Sequence, residues 1–125
     1  MENLYDQTSY KKVIFAAMSK RNFFLREHII RFILKQGFTP TCAFMMYSYF
    51  LLDTVERDAL ISANNALIER SDELWVFGDI SDGVQEEIKL AKRLNQPIKY
   101  FSTCITPSCE FKEISEAEAV VENHC

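Results

Sequence analysis

The residue best placed to do chemistry is Glu87, in the stretch "GDISDGVQEEIKLAKRL". Read as a helix from Gly83 to Leu94, this segment puts Val84, Ile88, Ala91 and Leu94 on an apolar stripe. Gln85, Glu86, Lys89, Lys92 and Arg93 make the polar face. Glu87 falls three residues after Val84 and four before Ala91, inside the stripe. Capping does not explain it: with Asp82 as N-cap, the reciprocal capping position is Gln85. An ionised carboxylate among apolar side chains is costly unless it is paired or reaches a solvated pocket. In a semi-apolar pocket it is suited to act as a nucleophile or general acid/base. The purely structural alternative is an ion pair with Lys20, Arg21 or Arg57.

Other polar residues are spaced so that they could join it. In "DISDG", Ser81 or Asp82 can cap the helix, and the first-turn amides of Gly83 and Val84 would favour a phosphate or carboxylate. Simple capping accounts for the same residues. A helix expected from Asp53 to Arg70 places Arg57, Ile61, Asn64 and Ile68 on one face, with Asn65 beside them. Asparagine is a poor mid-helix residue because its amide competes for backbone partners. The pair therefore suggests hydrogen bonding to a ligand, a neighbouring loop or another subunit. After the first strand, "MSKRN" offers Ser19, Lys20 and Arg21, two of them cationic.

The elements that would position these groups alternate along the chain. "KKVIFAAM", "FTPTCAF", "ELWVFG" and "QPIKYF" read as strands, the second short and broken by Pro40. Residues 22–36 form a helix with Leu25, Ile29, Phe32 and Ile33 on one face and Gly37 at its end. "DTVE" resembles a capping box with Asp53 as N-cap, followed by an apolar repeat of Val55, Ala59, Ala63 and Leu67. "MMYSYFLL" leans helical, with Tyr47 and Tyr49 as candidate pocket or subunit contacts. The acidic end is expected to form a short helix or an arm on a neighbour. The pattern predicts an α/β chain: a single-domain, Rossmann-like (flavodoxin-like) three-layer fold with a mostly parallel sheet of about four to five strands. The domain spans 1–125, with its core at 13–101 and a tail at 102–125. Ligands of such sheets bind at the carboxyl ends of the strands, onto which "MSKRN", "DISDG" and the region around Phe44 to Tyr49 are expected to open.

Composition narrows the classes of function. A 48% hydrophobic share supports a packed core, and a net charge of −4 gives no general attraction to nucleic acid or anionic membrane. The longest apolar run, "CAFMMYSYFLL", is about half a bilayer span, and no secretion signal is evident, so a cytoplasmic location is expected. The four cysteines, Cys42, Cys104, Cys109 and Cys125, are expected as thiols, since their spacing fits no tight zinc knuckle. With three glycines in the chain and neither a dinucleotide fingerprint nor a P-loop, those cofactor chemistries are unsupported.

The stretch "NNALIERSDELWVFGDISDGVQEEIKLAKRLNQPIKYF" resembles the nucleoside 2-deoxyribosyltransferase-like superfamily, strongly from Asn64 to Phe101 and more vaguely from Val13. The resemblance implies that Glu87 attacks C1′ of a deoxyribose and holds it as a glycosyl-enzyme, which passes to another base or to water. It implies that Ser81, six residues earlier, contacts a 5′-phosphate. The sugar-positioning aspartate of those enzymes lies eight residues before the aspartate opening the third strand, which is Asp72 here. Asn64 stands at that place, and an amide cannot transfer a proton to the leaving base. The glycine-containing turn after the first strand is also replaced, by "AAMSKRN", in which Ala17 and Met18 would crowd the substrate. The resemblance implies no metal or redox cofactor, a small-molecule nucleoside or nucleotide as partner, and a dimer or larger homo-oligomer. The expectation is thus an N-glycosidic enzyme with Glu87 and Asn64 at the reacting centre. Ser81, Asp82, Gly83, Val84, Ser19, Lys20, Arg21 and Arg57 would bind substrate. The alternatives are a non-catalytic nucleotide-binding or sensor protein and a purely structural α/β protein.

Overall fold

The computed structural model describes residues 11–42, 54–103 and 111–121. Strand β1 (Val13–Met18) leads through a 3₁₀ turn (Lys20–Leu25) into helix α1 (Arg26–Lys35), then the short strand β2 (Thr39–Thr41). Helix α2 (Arg57–Glu69), strand β3 (Glu73–Phe77), helix α3 (Asp82–Arg93) and strand β4 (Ile98–Ser102) follow. A last strand, β5 (Lys112–Ile114), and a 3₁₀ turn (Glu116–Glu118) complete the described elements.

The five strands form one sheet in the order β2-β1-β3-β4-β5, parallel except for β5. Strand order reverses between β1 and β3, so their carboxyl ends flank the position where ligands of open α/β sheets sit. Buried side chains alternate between the two faces. Ile14, Ala16, Met18, Trp75, Phe77 and Phe101 pack with Leu25, Ile29 and Ile33 on the α1 side. Phe15, Ala17, Leu74, Val76 and Tyr100 pack with Ile68 of α2 and Val84, Ile88 and Ala91 of α3. Pro40 is tolerated because β2 is an edge strand. At the other end of β1, the Val13 amide donates to Asp72 Oδ2 and the Asp72 amide to the Val13 carbonyl, each at 2.7 Å. Asp72 thereby fixes the β1–β3 register.

Several boundaries differ from the sequence expectation. The helix expected over 22–36 is a 3₁₀ turn and then an α-helix, because Leu25 adopts φ −93°, ψ 0° between them. Helix α2 starts at Arg57 rather than Asp53: Glu56 is extended (φ −56°, ψ 137°) and is itself the N-cap, with no side-chain capping bond. The proposed Asp53–Glu56 capping box therefore does not start this helix, and Asp53 lies outside the described residues. Val55 and Ala59 are exposed, so burial on α2 centres on Ile68 rather than on the Val55 repeat. Leu94, expected in the α3 stripe, is exposed because α3 ends at Arg93 and Asn95 turns the chain with a left-handed φ of 57°. The tail joins the chain's own sheet from Lys112 as β5, which was not expected, and the short helix expected in the acidic end is the 3₁₀ turn Glu116–Glu118. Tyr47, Tyr49, Cys104, Cys109 and Cys125 lie outside the described residues, while Cys42 is buried in the core.

Gly78 closes β3 with φ +79°, and its amide donates to the Phe101 carbonyl at 2.9 Å. A Cβ there would collide with Asn22 Nδ2 and crowd Thr103. Gly78→Ala is expected to destabilise the protein by about 1–3 kcal/mol, measured by urea unfolding. A loss below about 0.5 kcal/mol, the size of an ordinary surface change, would contradict this packing.

Candidate functional site

Helices α2 and α3 lie side by side on one face of the sheet, and their facing side chains bring Glu87 and Asn64 together. Asn64 Nδ2 donates to Glu87 Oε2 at 2.6 Å. The two residues singled out separately by periodicity and by mid-helix composition thus form one hydrogen-bonded pair. Glu87 follows Val84 and precedes Ile88 and Ala91, all buried against β1, β3 and β4, so its own helix face is committed to the interior. Both Glu87 and Asn64 are partly buried.

Among the described residues no cation forms an ion pair with Glu87. Lys20, Arg21 and Arg57 are all exposed, so the ion pair offered as the structural alternative is not formed by any of them. Burial pushes the Glu87 carboxyl up to about 7, against the lowering effect of the Asn64 amide. At neutral pH the group therefore exchanges readily between acid and carboxylate, the condition for general acid/base chemistry. Deprotonated, it is held by one neutral donor among the described residues.

The other expected site residues take definite places. Ser81 is the N-cap of α3, and its hydroxyl accepts the Val84 amide at 3.3 Å. That amide is therefore engaged within the protein, whereas it was expected to face a ligand. Ser81 lies six residues before Glu87, about 9 Å along the helix axis. Asp82 and Gly83 form the exposed first turn. Ser19 is buried and caps the 3₁₀ turn, accepting the Arg21 amide at 3.2 Å. Lys20 and Arg21 stand on that turn at the carboxyl end of β1. Arg57 opens α2, seven residues before Asn64 and about two helical turns from it. Asn65, beside Asn64, is also partly buried.

The structure gives a definite place to Asn22, which closes the "MSKRN" segment, and adds Glu73, which the sequence had not marked. Asn22 reaches across the switch point, its Nδ2 3.4 Å from the Phe77 carbonyl. With Gly78 and Thr103 it brings the ends of β1, β3 and β4 into contact. Glu73, read in the sequence as part of an apolar strand, is a second buried carboxylate. Burial raises its pKa, but hydrogen bonds from Trp75 Nε1 at 3.0 Å and Lys12 Nζ at 3.1 Å prevail and hold it below the ordinary range. Glu73 is thus a satisfied structural anion at the opposite end of β3. Its place beside Asp72 could have suggested this, since two acids opening a buried strand need partners. Among the described residues no group of three His, Cys, Asp or Glu side chains could hold a metal ion, and no helix is long and apolar enough to cross a membrane.

The raised Glu87 pKa has a definite consequence for stability. The folded state holds this proton more tightly than the unfolded chain, so the group's contribution is full below pH about 4.5. It is lost as pH rises through about 7. Glu87→Gln keeps an acceptor for Asn64 and removes the charge. The stability gained by Glu87→Gln over wild type should grow across this interval, to at most about 3 kcal/mol above pH 7. Urea unfolding of both proteins at pH 5 and pH 8 measures it; a pH-independent difference would contradict the assignment.

No curated protein matches the chain. A family described as a domain of unknown function, DUF7768, matches residues 12–101, which run from just before β1 almost to the end of β4 and include Asn64, Ser81 and Glu87. The chain belongs to the DUF7768 family, a domain of unknown function.

Proposed function

We propose that the protein acts on the N-glycosidic bond of a nucleoside or nucleotide, with Glu87 as the nucleophile. The observation that carries this reading is the Glu87–Asn64 pair: a carboxyl with a pKa near 7, one amide donor on Oε2 and, among the described residues, no cation in an ion pair with it. Glycosidic cleavage develops positive charge at C1′, which a carboxylate in a low-dielectric setting stabilises strongly. Glu87 would bond to C1′ as the base leaves with the electron pair of the broken C–N bond. Water or a second base would then displace the carboxylate. Lys20 and Arg21, with Ser81, Asp82 and Gly83, supply charge and donors for a phosphate or 5′-hydroxyl. In this reading the chain is a single-domain, three-layer Rossmann-like fold of the flavodoxin type, working in the cytoplasm as a homo-oligomer. The β2-β1-β3-β4-β5 order supports the fold type.

Asn64 favours a second reading. Two carboxyls in such contact would share a proton, leaving one ionised to attack and one protonated to serve the leaving base. Asn64 fixes Glu87 but carries no acidic proton, so a nucleotide-binding or sensor protein that keeps the pocket without efficient turnover is the alternative.

Incubation with a panel of deoxynucleosides and their 5′-monophosphates, followed by chromatography for free base, separates the two. The glycosidic reading expects base release that falls by about 10²–10⁴-fold in Glu87→Gln. Asn64→Asp should raise release for substrates whose base leaves poorly without protonation. A ligand-dependent rise in melting temperature without base release would instead establish the binding protein. Neither effect would overturn both.

A further inference from the structure

We infer that the C-terminal segment Phe111–Val121 is a strap that fastens α3 to the sheet at both of the helix's ends. It lies beyond the residues matched by the family, 12–101. The strap begins as β5, antiparallel to β4, covering a strand that would otherwise be a sheet edge. It then turns at Ser115, where a capping box with Glu118 stabilises the 3₁₀ turn.

At that turn Glu116 closes a clasp. Its Oε1 accepts from Lys92 Nζ at 2.7 Å and from the Tyr100 hydroxyl at 3.1 Å. Lys92 is in the last turn of α3, and Tyr100 belongs to β4. From the clasp the chain runs extended, with Ala119 packed on the core shared by α2 and α3. Val120 then accepts the Ile80 amide at 2.8 Å, and Val121 forms a parallel bridge with Ile80. Ile80 immediately precedes Ser81, the N-cap of α3.

Twelve residues of α3 rise about 18 Å. From Glu116 to Val121 the two steps inside the 3₁₀ turn rise about 2 Å each and the three beyond it about 3.3 Å each, about 14 Å in all. With the reach of the Lys92 and Glu116 side chains added, the strap runs beside the helix from its last turn to the residue before its first. It sets how firmly the Asp79–Ser81 turn and the start of α3 are held. This holds whether or not Glu87 is catalytic.

Amide hydrogen exchange on the full chain tests the coupling, with Ile80 as the reporter. Glu116→Ala, which removes the clasp about one helix length from Ile80, should speed Ile80 exchange about three- to tenfold, while Val76 in β3 stays unchanged. Glu113→Ala, an exposed change on β5 outside the clasp, should leave Ile80 unchanged. Should Glu116→Ala not fold, Tyr100→Phe loosens the same clasp and is read the same way. Ile80 exchange within twofold of wild type in the folded clasp variant, or an equal effect of Glu113→Ala, would overturn the inference.

Discussion

The fold depends on a central parallel pair, β1 and β3, with both faces buried. Ile14 through Met18 and Leu74 through Phe77 are all inaccessible or nearly so, leaving neither face for water. Such a pair must be covered twice, and the chain does this with α1 on one side and α2 and α3 on the other. The parallel connections require crossovers, which place the helices. The strand-order reversal follows from β2 joining one side of β1 and β3 the other. On the α1 side the core is aromatic: Phe77 stacks on Phe101 at 5.0 Å between ring centres, and Phe32 packs edge-on against both. That side is closed by apolar contacts and by the satisfied Glu73. The α2–α3 side is where a polar exception is admitted.

That exception is the Asn64–Glu87 pair. A structural carboxylate in such a position normally takes the partners Glu73 has, an ammonium and an indole N–H that hold it ionised. Among the described residues Glu87 has one neutral amide, and its pKa moves in the opposite direction. The contrast between the buried Glu73 and the partly buried Glu87 is the physical basis for proposing chemistry at one and structure at the other. A mid-helix asparagine is unfavourable by propensity, and the hydrogen bond to Glu87 supplies the compensation that local structure does not.

Much of this was legible in the sequence because periodicity reports burial directly. The apolar runs at "VIFAAM" and "ELWVF" gave the two central strands, and the 3.6-residue period around Val84, Ile88 and Ala91 isolated Glu87. The start of α2 was misplaced because "DTVE" satisfies a capping pattern by residue type, whereas the backbone at Glu56 is extended. β5 escaped notice because a three-residue edge strand has no period to read; only its pairing with β4 makes it a strand. The hydrogen bond between Asn64 and Glu87 joins residues 23 positions apart, a contact that only the packing of two helices creates. The clasp at Glu116 is hidden for the same reason, since Lys92 and Tyr100 meet it from separate elements.

The most direct test of the account is an NMR titration of the Glu87 side-chain carboxyl carbon in the full-length wild type, assigned by its absence in Glu87→Gln. The account predicts a midpoint near 7, as expected for a partly buried carboxyl with one neutral donor and no ion-paired cation among the described residues. A midpoint at or below the ordinary glutamate value of about 4.3 would mean that Glu87 is solvated or ion-paired, and would contradict the reactivity proposed for it.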